Sequence, residues 1–152
     1  MSEIKLSSGD IVLLDDCDLV KIIPFLWHKD SRGYAYRHFL EEGIDRPIRM
    51  HRFLMSAPKG SDIDHINGNR LDNRISNLRI CSRRQNIWNS GLKKNNSSGF
   101  KGVDFVKSRG LFRARIRTEF GRINLGYFKT AEEASQSYIA AANHHHGIFA
   151  KP

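Results

Sequence analysis

The sequence predicts an α+β protein in two parts: a strand–strand–helix unit on a β-rich lead-in, then a small three-stranded antiparallel sheet packed on one helix. Three observations predict it. Residues of about 60–90 read as two short alternating strands, a turn-rich loop between them, and a helix start. From Phe100 the chain holds three runs of strand period followed by an Ala-rich helical run. Between these parts GLKKNNSSG is polar and rich in Gly, Asn and Ser, the composition of a linker. The expected boundaries are 1–90 for the first domain, 91–98 for a basic linker and 99–152 for the second domain. A length of 152 residues suits one domain or two very small ones.

In the lead-in, residues 1–50, KLSSGDIVLLDD suggests a hairpin and DLVKIIPFLW a short helix ended by Pro24. GYAYRHFLEEGIDRPIRM reads as two strands joined by a Gly-containing turn. The lead-in is expected to supply a hydrophobic floor, because a strand–strand–helix unit alone buries little core. DIDHI then alternates as a short strand, NGNRLDNR is turn chemistry, and LRICS is a second strand. Asn67, Asn69, Asp72 and Asn73 read as loop formers. Ser82-Arg83-Arg84-Gln85 has the S-x-x-Q form of a capping box, which places Asn86 early in a helix, facing back toward the hairpin that carries His65.

In the second part KGVDFVK, GLFRARIRTEF and RINLGYF are the expected strands. In the middle one Phe112, Ala114 and Ile116 alternate with Arg113, Arg115 and Arg117, so apolar residues take one face and guanidiniums the other. With no acidic partner in view, those arginines would repel one another unless an anion covers them. Thr130-Ala131-Glu132-Glu133 forms a second capping box, and Ala134, Tyr138, Ala141 and Ala142 share one face of the helix it opens. His144–His146 reads as a solvated helix terminus, and Trp27 and Trp88 as core.

The formal net charge is +9, unevenly placed. Residues 1–50 carry 7 Lys/Arg against 9 Asp/Glu, and no acidic residue occurs between Asp72 and Asp104. That interval holds Arg74, Arg79, Arg83, Arg84, Lys93, Lys94 and Lys101, a one-sign stretch suited to a polyanion. No run approaches the ~20 apolar residues of a membrane span, and MSEIKLSSGD is not a signal peptide, so a soluble, cytoplasmic, non-secreted protein is expected. Cys17 and Cys81 stand apart, which excludes a CxxC-type zinc ribbon and fits a reducing compartment.

Asp64, His65, Asn77 and Asn86 fall within 23 residues of one another, and the stretch around them is strongly basic. Phosphodiester hydrolysis needs a hard cation on oxygen ligands and a base for water. Asp64 and the Asn86 amide oxygen are candidate ligands, and His65 is the candidate base, its ordinary pKa lying nearest neutrality. The stretch of about 48–89, with MHRFLM, DHINGN, DNRISNLR and RRQN, resembles the HNH endonuclease family in its phage and homing branch. The resemblance implies a ββα-metal (His-Me finger) fold, His65 as general base, Asp64 and Asn86 on one divalent metal (Mg²⁺, or Mn²⁺ in its place), and Asn77 bracing the loop and orienting His65. Asn86 stands where the name-giving second His falls, an H-N-N variant. His51 in MHRF is open between a phosphate or His65 contact and a packed structural role, and Arg37 and Arg49 between DNA contact and plain surface.

Residues of about 97–152 resemble the APETALA-two/ethylene-response-factor DNA-binding domain through GFKGV, FRARIR, INLGYF, KTAEEA and SYIAAA. There the resemblance implies Lys101, Arg113, Arg115, Arg117, Arg122 and Asn124 facing a major groove, with Tyr127 at the edge. Arg83, Arg84, Lys93 and Lys94 are further candidate DNA contacts on charge and position. The expected partner is double-stranded DNA, bound by a monomer or homodimer with no small-molecule cofactor, in a bacterial or phage-infected cell. The competing reading is a DNA-binding regulator with a silent nuclease unit, since a neutral amide is a weak metal ligand.

Overall fold

The computed structural model describes residues 1–93 and 95–151. It forms two compact units, residues 1–83 and residues 84 onward. The division falls just inside the helix that follows the second strand of the strand–strand–helix segment.

In the first unit β1 (Ser2–Lys5) and β2 (Ile11–Leu14) pair as the expected hairpin. Alternation along β2 turns Val12 and Leu14 fully inward. A 3₁₀ turn at Asp16–Asp18 leads into α1 (Leu19–Ile22), which stops before Pro24 as that residue requires. Next, β3 (His28–Lys29), β4 (Ala35–Glu41) and β5 (Ile44–Arg49) make an antiparallel sheet with β4 in the middle. Glu42 and Gly43 turn β4 into β5 with positive φ at both, the backbone a two-residue hairpin of this hand demands. α2 (Met50–Met55) follows at once. Its six residues are too few for a helical period to show, so the sequence reading passed over it.

The core of this unit is Leu6, Val12, Leu14, Ile22, Trp27, Ala35 and Met50, with Leu71 packed against it. Leu71 lies between β6 (Asp62–His65) and β7 (Leu78–Cys81), so the lead-in does floor the site loop. β6 and β7 pair antiparallel with Asp64 opposite Arg79 and His65 opposite Leu78, and α3 (Arg83–Asn89) completes the strand–strand–helix order. Both open arginines have partners within this unit. The Arg37 guanidinium sits over Phe25 at 3.8 Å and Phe53 at 5.2 Å, and Arg49 binds Asp30 at 2.9 Å.

In the second unit β8 (Val103–Val106), β9 (Leu111–Thr118) and β10 (Gly121–Phe128) form an antiparallel sheet with β9 central. α4 (Ala131–His146) packs on it, opened by the expected Thr130–Glu133 capping box. Ala134, Tyr138 and Ala142 are buried against Ala114 and Ile116 of β9, as the small-residue helix face predicts. Close approach fixes Gly102: at φ 73° an added Cβ would lie 2.2 Å from Tyr138 and 2.7 Å from the Arg115 carbonyl oxygen. Gly102→Ala is therefore expected to destabilise this unit by about 2–4 kcal/mol, read as a lower unfolding midpoint in urea.

The helix terminus corrects one expectation. His144 and His145 are exposed, but His146 is buried, stacks on Trp88 at 4.3 Å and 11°, and bonds the Arg117 carbonyl at 2.9 Å. Burial lowers its pKa, so Nε2–H donates from a neutral ring. Trp88 is half-buried rather than core. Among the described residues no helix is long and apolar enough to cross a membrane.

Candidate active site and basic sheet face

The strand ending at His65 and the strand starting at Leu78 are bridged by a loop whose polar groups are spent on itself. Asn77 Oδ1 accepts from the Asn67 backbone N–H at 3.0 Å, and Asn77 Nδ2 donates to the Asp72 carbonyl at 2.8 Å. Asp72 is 1% exposed and accepts from Asn67 Nδ2 and from two nitrogens of Arg74. Those Arg74 bonds come first among the causes that lower the Asp72 pKa. β2 joins in: Leu13 N–H donates to Leu71 O and Asn73 N–H to Leu13 O, each at 2.9 Å. Both ends of the Asn77 side chain thus bond to the loop.

His65 is 5% exposed at the end of β6. Its ring meets His51 edge-on at 5.1 Å and Tyr34 at 5.9 Å, and Tyr34 in turn lies under Arg49 at 4.4 Å and Arg70 at 4.8 Å. Burial is the largest influence on His65 and lowers its pKa, against smaller upward pulls from Asn73, Asp64 and Asp72. His65 is therefore a neutral imidazole at neutral pH, the form that accepts a proton. His51 is buried too, and burial first, then the His65 charge, push its pKa down to about 3. It acts as a packed neutral ring behind His65. Tyr34 and Asn73 were missed by sequence reasoning. Tyr34 carries no motif signal, and Asn73 looks like its turn-forming neighbours.

Asp64 is 5% exposed, and its β7 neighbour Arg79 donates to Oδ2 from Nε at 2.8 Å and from Nη2 at 2.6 Å. Register alone creates this pair, since the two residues are opposite each other. Among the described residues no group of three or more His, Cys, Asp or Glu could hold a metal ion. One carboxylate still suits Mg²⁺, which keeps much of its water and completes its shell with substrate phosphate. Asn86 is half-buried on α3, three residues past the division between units.

In the second unit Lys93, Lys101, Arg115, Arg117, Arg122 and His146 line one cavity of about 480 Å³. The sheet therefore brings several of the predicted DNA contacts together. The picture of an uncompensated Arg stripe needs correction, however: Asp104 on β8 binds Arg113 and Arg115, each at 2.8 Å. Arg117 and Arg122 face each other across β9 and β10 and make no ion pair among the described residues. Lys101 is tied down, its ammonium donating to the Trp88 and Lys151 carbonyls at 2.6 and 2.7 Å, and burial lowers its pKa to about 8. Asn124 is exposed with Oδ1 accepting from Gly126 N–H at a β-bulge. Arg83 reaches Asp62 at 3.3 Å and Arg84 the Glu119 carbonyl at 3.1 Å, both from exposed positions. Lys94 lies outside the described residues.

The site thus sets a buried neutral imidazole next to a carboxylate, on a braced strand–loop–strand leading into a helix. Residues 56–87, the segment bearing Asp64, His65, Asn77 and Asn86, match the family model described as HNH endonuclease. Protein 3.8 of Escherichia phage T7 is 42% identical over 62 residues, covering 41% of this chain and 51% of that protein. The chain thus spans about half the length of that relative. An uncharacterized HNH endonuclease, L560 of Acanthamoeba polyphaga mimivirus, is 29% identical over 147 residues, 93% of this chain and 72% of that one. A solved structure titled as DNA binding and cleavage by the HNH homing endonuclease I-HmuI aligns with a TM-score of 0.40 and 16% identity, over 96% of this chain and 82% of that one.

Proposed function

We propose that this protein is a metal-dependent endonuclease of double-stranded DNA, with a cutting unit before about residue 90 and a DNA-gripping sheet from about residue 99. The observation that carries the reading is the buried, neutral His65 beside Asp64 inside the HNH motif. His65 takes a proton from water, the hydroxide oxygen bonds to phosphorus, and the bond from phosphorus to the 3′ oxygen breaks. Asp64 and Asn86 are the residues that would hold a divalent ion, Mg²⁺ or Mn²⁺. Such an ion supplies charge stabilisation to the phosphoryl oxygens and the leaving oxygen. Asn77 keeps the loop, and so the end of β6, in place.

The sheet of β8–β10 supports the second half of the reading, a sheet–helix domain of the APETALA-two/ethylene-response-factor kind. Its exposed basic face suits a major groove, where arginine pairs with guanine. Arg117 and Arg122, without acidic partners among the described residues, are placed to meet phosphate. Replacing both by Gln is expected to weaken duplex binding and to flatten its log–log salt dependence by about 2, one for each lost phosphate contact, in fluorescence-anisotropy titrations over a salt series. Asp104→Asn has the opposite sign. It releases Arg113 and Arg115 and removes a negative charge, so affinity is expected to rise by roughly fivefold, the equivalent of about 1 kcal/mol. Because these pairs are partly exposed, folding is little affected.

A second reading, a DNA-binding regulator without cleavage, is favoured by the Arg79 grip on Asp64 Oδ2. Supercoiled plasmid separates the two. Nicked circles in Mg²⁺ or Mn²⁺ but not in EDTA support the nuclease, and linear product supports a homodimer. Intact plasmid that still shifts on a gel contradicts cleavage.

A further inference from the structure

Phe120 stands at the tip of the β9–β10 hairpin, where Thr118 pairs with Gly121 and only Glu119 and Phe120 turn the chain. It is 94% exposed, more than any other large apolar residue among the described ones. Folding does not account for it, since a ring left in water buries nothing. Turn chemistry does not either. Tight turns favour Gly, Asn, Asp and Ser, and here Gly121, at φ 133°, takes the backbone conformation that side chains avoid. Neither Glu119 nor Phe120 has a positive φ, so the tip would accept almost any residue.

The backbone under the ring is held in place. Thr118, 5% exposed, accepts the Phe120 N–H on Oγ1 at 3.3 Å and donates to the Gly121 carbonyl at 3.2 Å. Arg84 donates to the Glu119 carbonyl at 3.1 Å. Space beside the turn is open, because a Cβ added at Gly121 would meet nothing within 4 Å. One pair back from the tip, Arg117 and Arg122 face each other with no acidic partner among the described residues. The turn itself carries no cation, and the exposed Glu119 would repel a phosphate there. A single exposed apolar side chain is ordinary by itself. Phe120 differs in its setting: a braced turn, two unpaired guanidiniums behind it, and a ring open to solvent.

We propose that Phe120 is an apolar wedge for duplex DNA: with Arg117 and Arg122 on phosphates, its ring enters a base step and stacks on the bases it parts. The inference rests on the reading of the β8–β10 sheet as the DNA-gripping part. An aromatic ring suits this task because every base offers it a π-face, whatever the sequence. Parting the bases costs stacking energy and bends the duplex, and the cost is least at flexible pyrimidine–purine steps. Phe120 therefore adds a preference for TA and CA steps that no hydrogen bond reads. Division of labour follows: the guanidiniums supply salt-dependent attraction, and the ring supplies a contact that salt does not screen.

The test uses full-length wild type, Phe120→Ser and Phe120→Trp on plasmid DNA in EDTA. Phe120→Ser should keep the melting temperature and bind about tenfold more weakly, the loss of one stacked ring. Its log–log salt slope should equal that of the wild type, because no phosphate contact is lost. Plasmid relaxed by a metal-independent topoisomerase under saturating wild type should come out underwound, since a ring between bases untwists the duplex. Saturating Phe120→Ser should leave the twist as it is without protein, and Phe120→Trp should restore the underwinding. A wild type that binds and leaves the twist unchanged overturns the proposal and leaves the DNA-gripping sheet standing. So does a serine variant that binds within about twofold of wild type and untwists equally. A wild type that is dimeric without DNA, with Phe120→Ser monomeric, assigns the ring to a second copy and overturns the wedge. If the wild type binds no duplex, the reading of the sheet fails and the wedge falls with it.

Discussion

Replacing His65 with alanine is expected to slow single-turnover DNA cleavage by about 10²–10⁴-fold and to leave duplex affinity nearly unchanged. The rate falls because no other neutral base stands at the end of β6. His51 is buried behind the ring of His65, and Asp64 is bonded to Arg79. Affinity should hold because the guanidiniums proposed to grip DNA, Arg117 and Arg122 of the sheet, lie in another part of the chain. The pH profile follows the same physics. Burial depresses the His65 pKa, so wild-type cleavage should persist on the acid side of pH 6.5, the ordinary histidine value, and fall only when the ring protonates. Rapid-quench assays beside gel shifts read both quantities. An equal loss of rate and affinity would show instead that His65 holds DNA.

Asp72→Ala should be the most damaging substitution to stability in the first unit, at about 3 kcal/mol in urea unfolding. The carboxylate is buried and holds Arg74 and Asn67, and its backbone carbonyl carries Asn77. Losing it loosens the loop that seats His65, so cleavage should fall with stability. The folded-state pKa of Asp72 is depressed, first by Arg74. Its contribution is therefore complete above the unfolded carboxylate value of about 4 and is lost as pH falls through the folded value. The wild type should accordingly lose stability below about pH 4, and the alanine variant should lose less over that interval.

What was legible in the sequence is what local chemistry dictates. The alternation of DIDHI and FRARIR, the turns between them, and the Thr130 capping box gave β6, β9 and α4 because period and cap are short-range signals. The adjacency of Asp64 and His65 at a strand end was readable for the same reason. Pairing across strands was not. Asp64 with Arg79, and Asp104 with Arg113 and Arg115, depend on register, which a single strand's residues do not state. Asn67 and Asn73 are the same residue in the same turn chemistry. Contact with Leu13, some sixty residues away, goes with the burial of Asn73, and such long-range placement leaves no trace in a local pattern. His146 was misjudged likewise, because the Trp88 ring that covers it comes from a distant helix.

The most direct test of the account is the initial rate of plasmid nicking by the wild type and His65→Ala, side by side in Mg²⁺ and in EDTA. The account predicts nicked circles from the wild type in Mg²⁺ alone, with the other three reactions near background. Cleavage that survives both the chelator and the loss of His65 would contradict it.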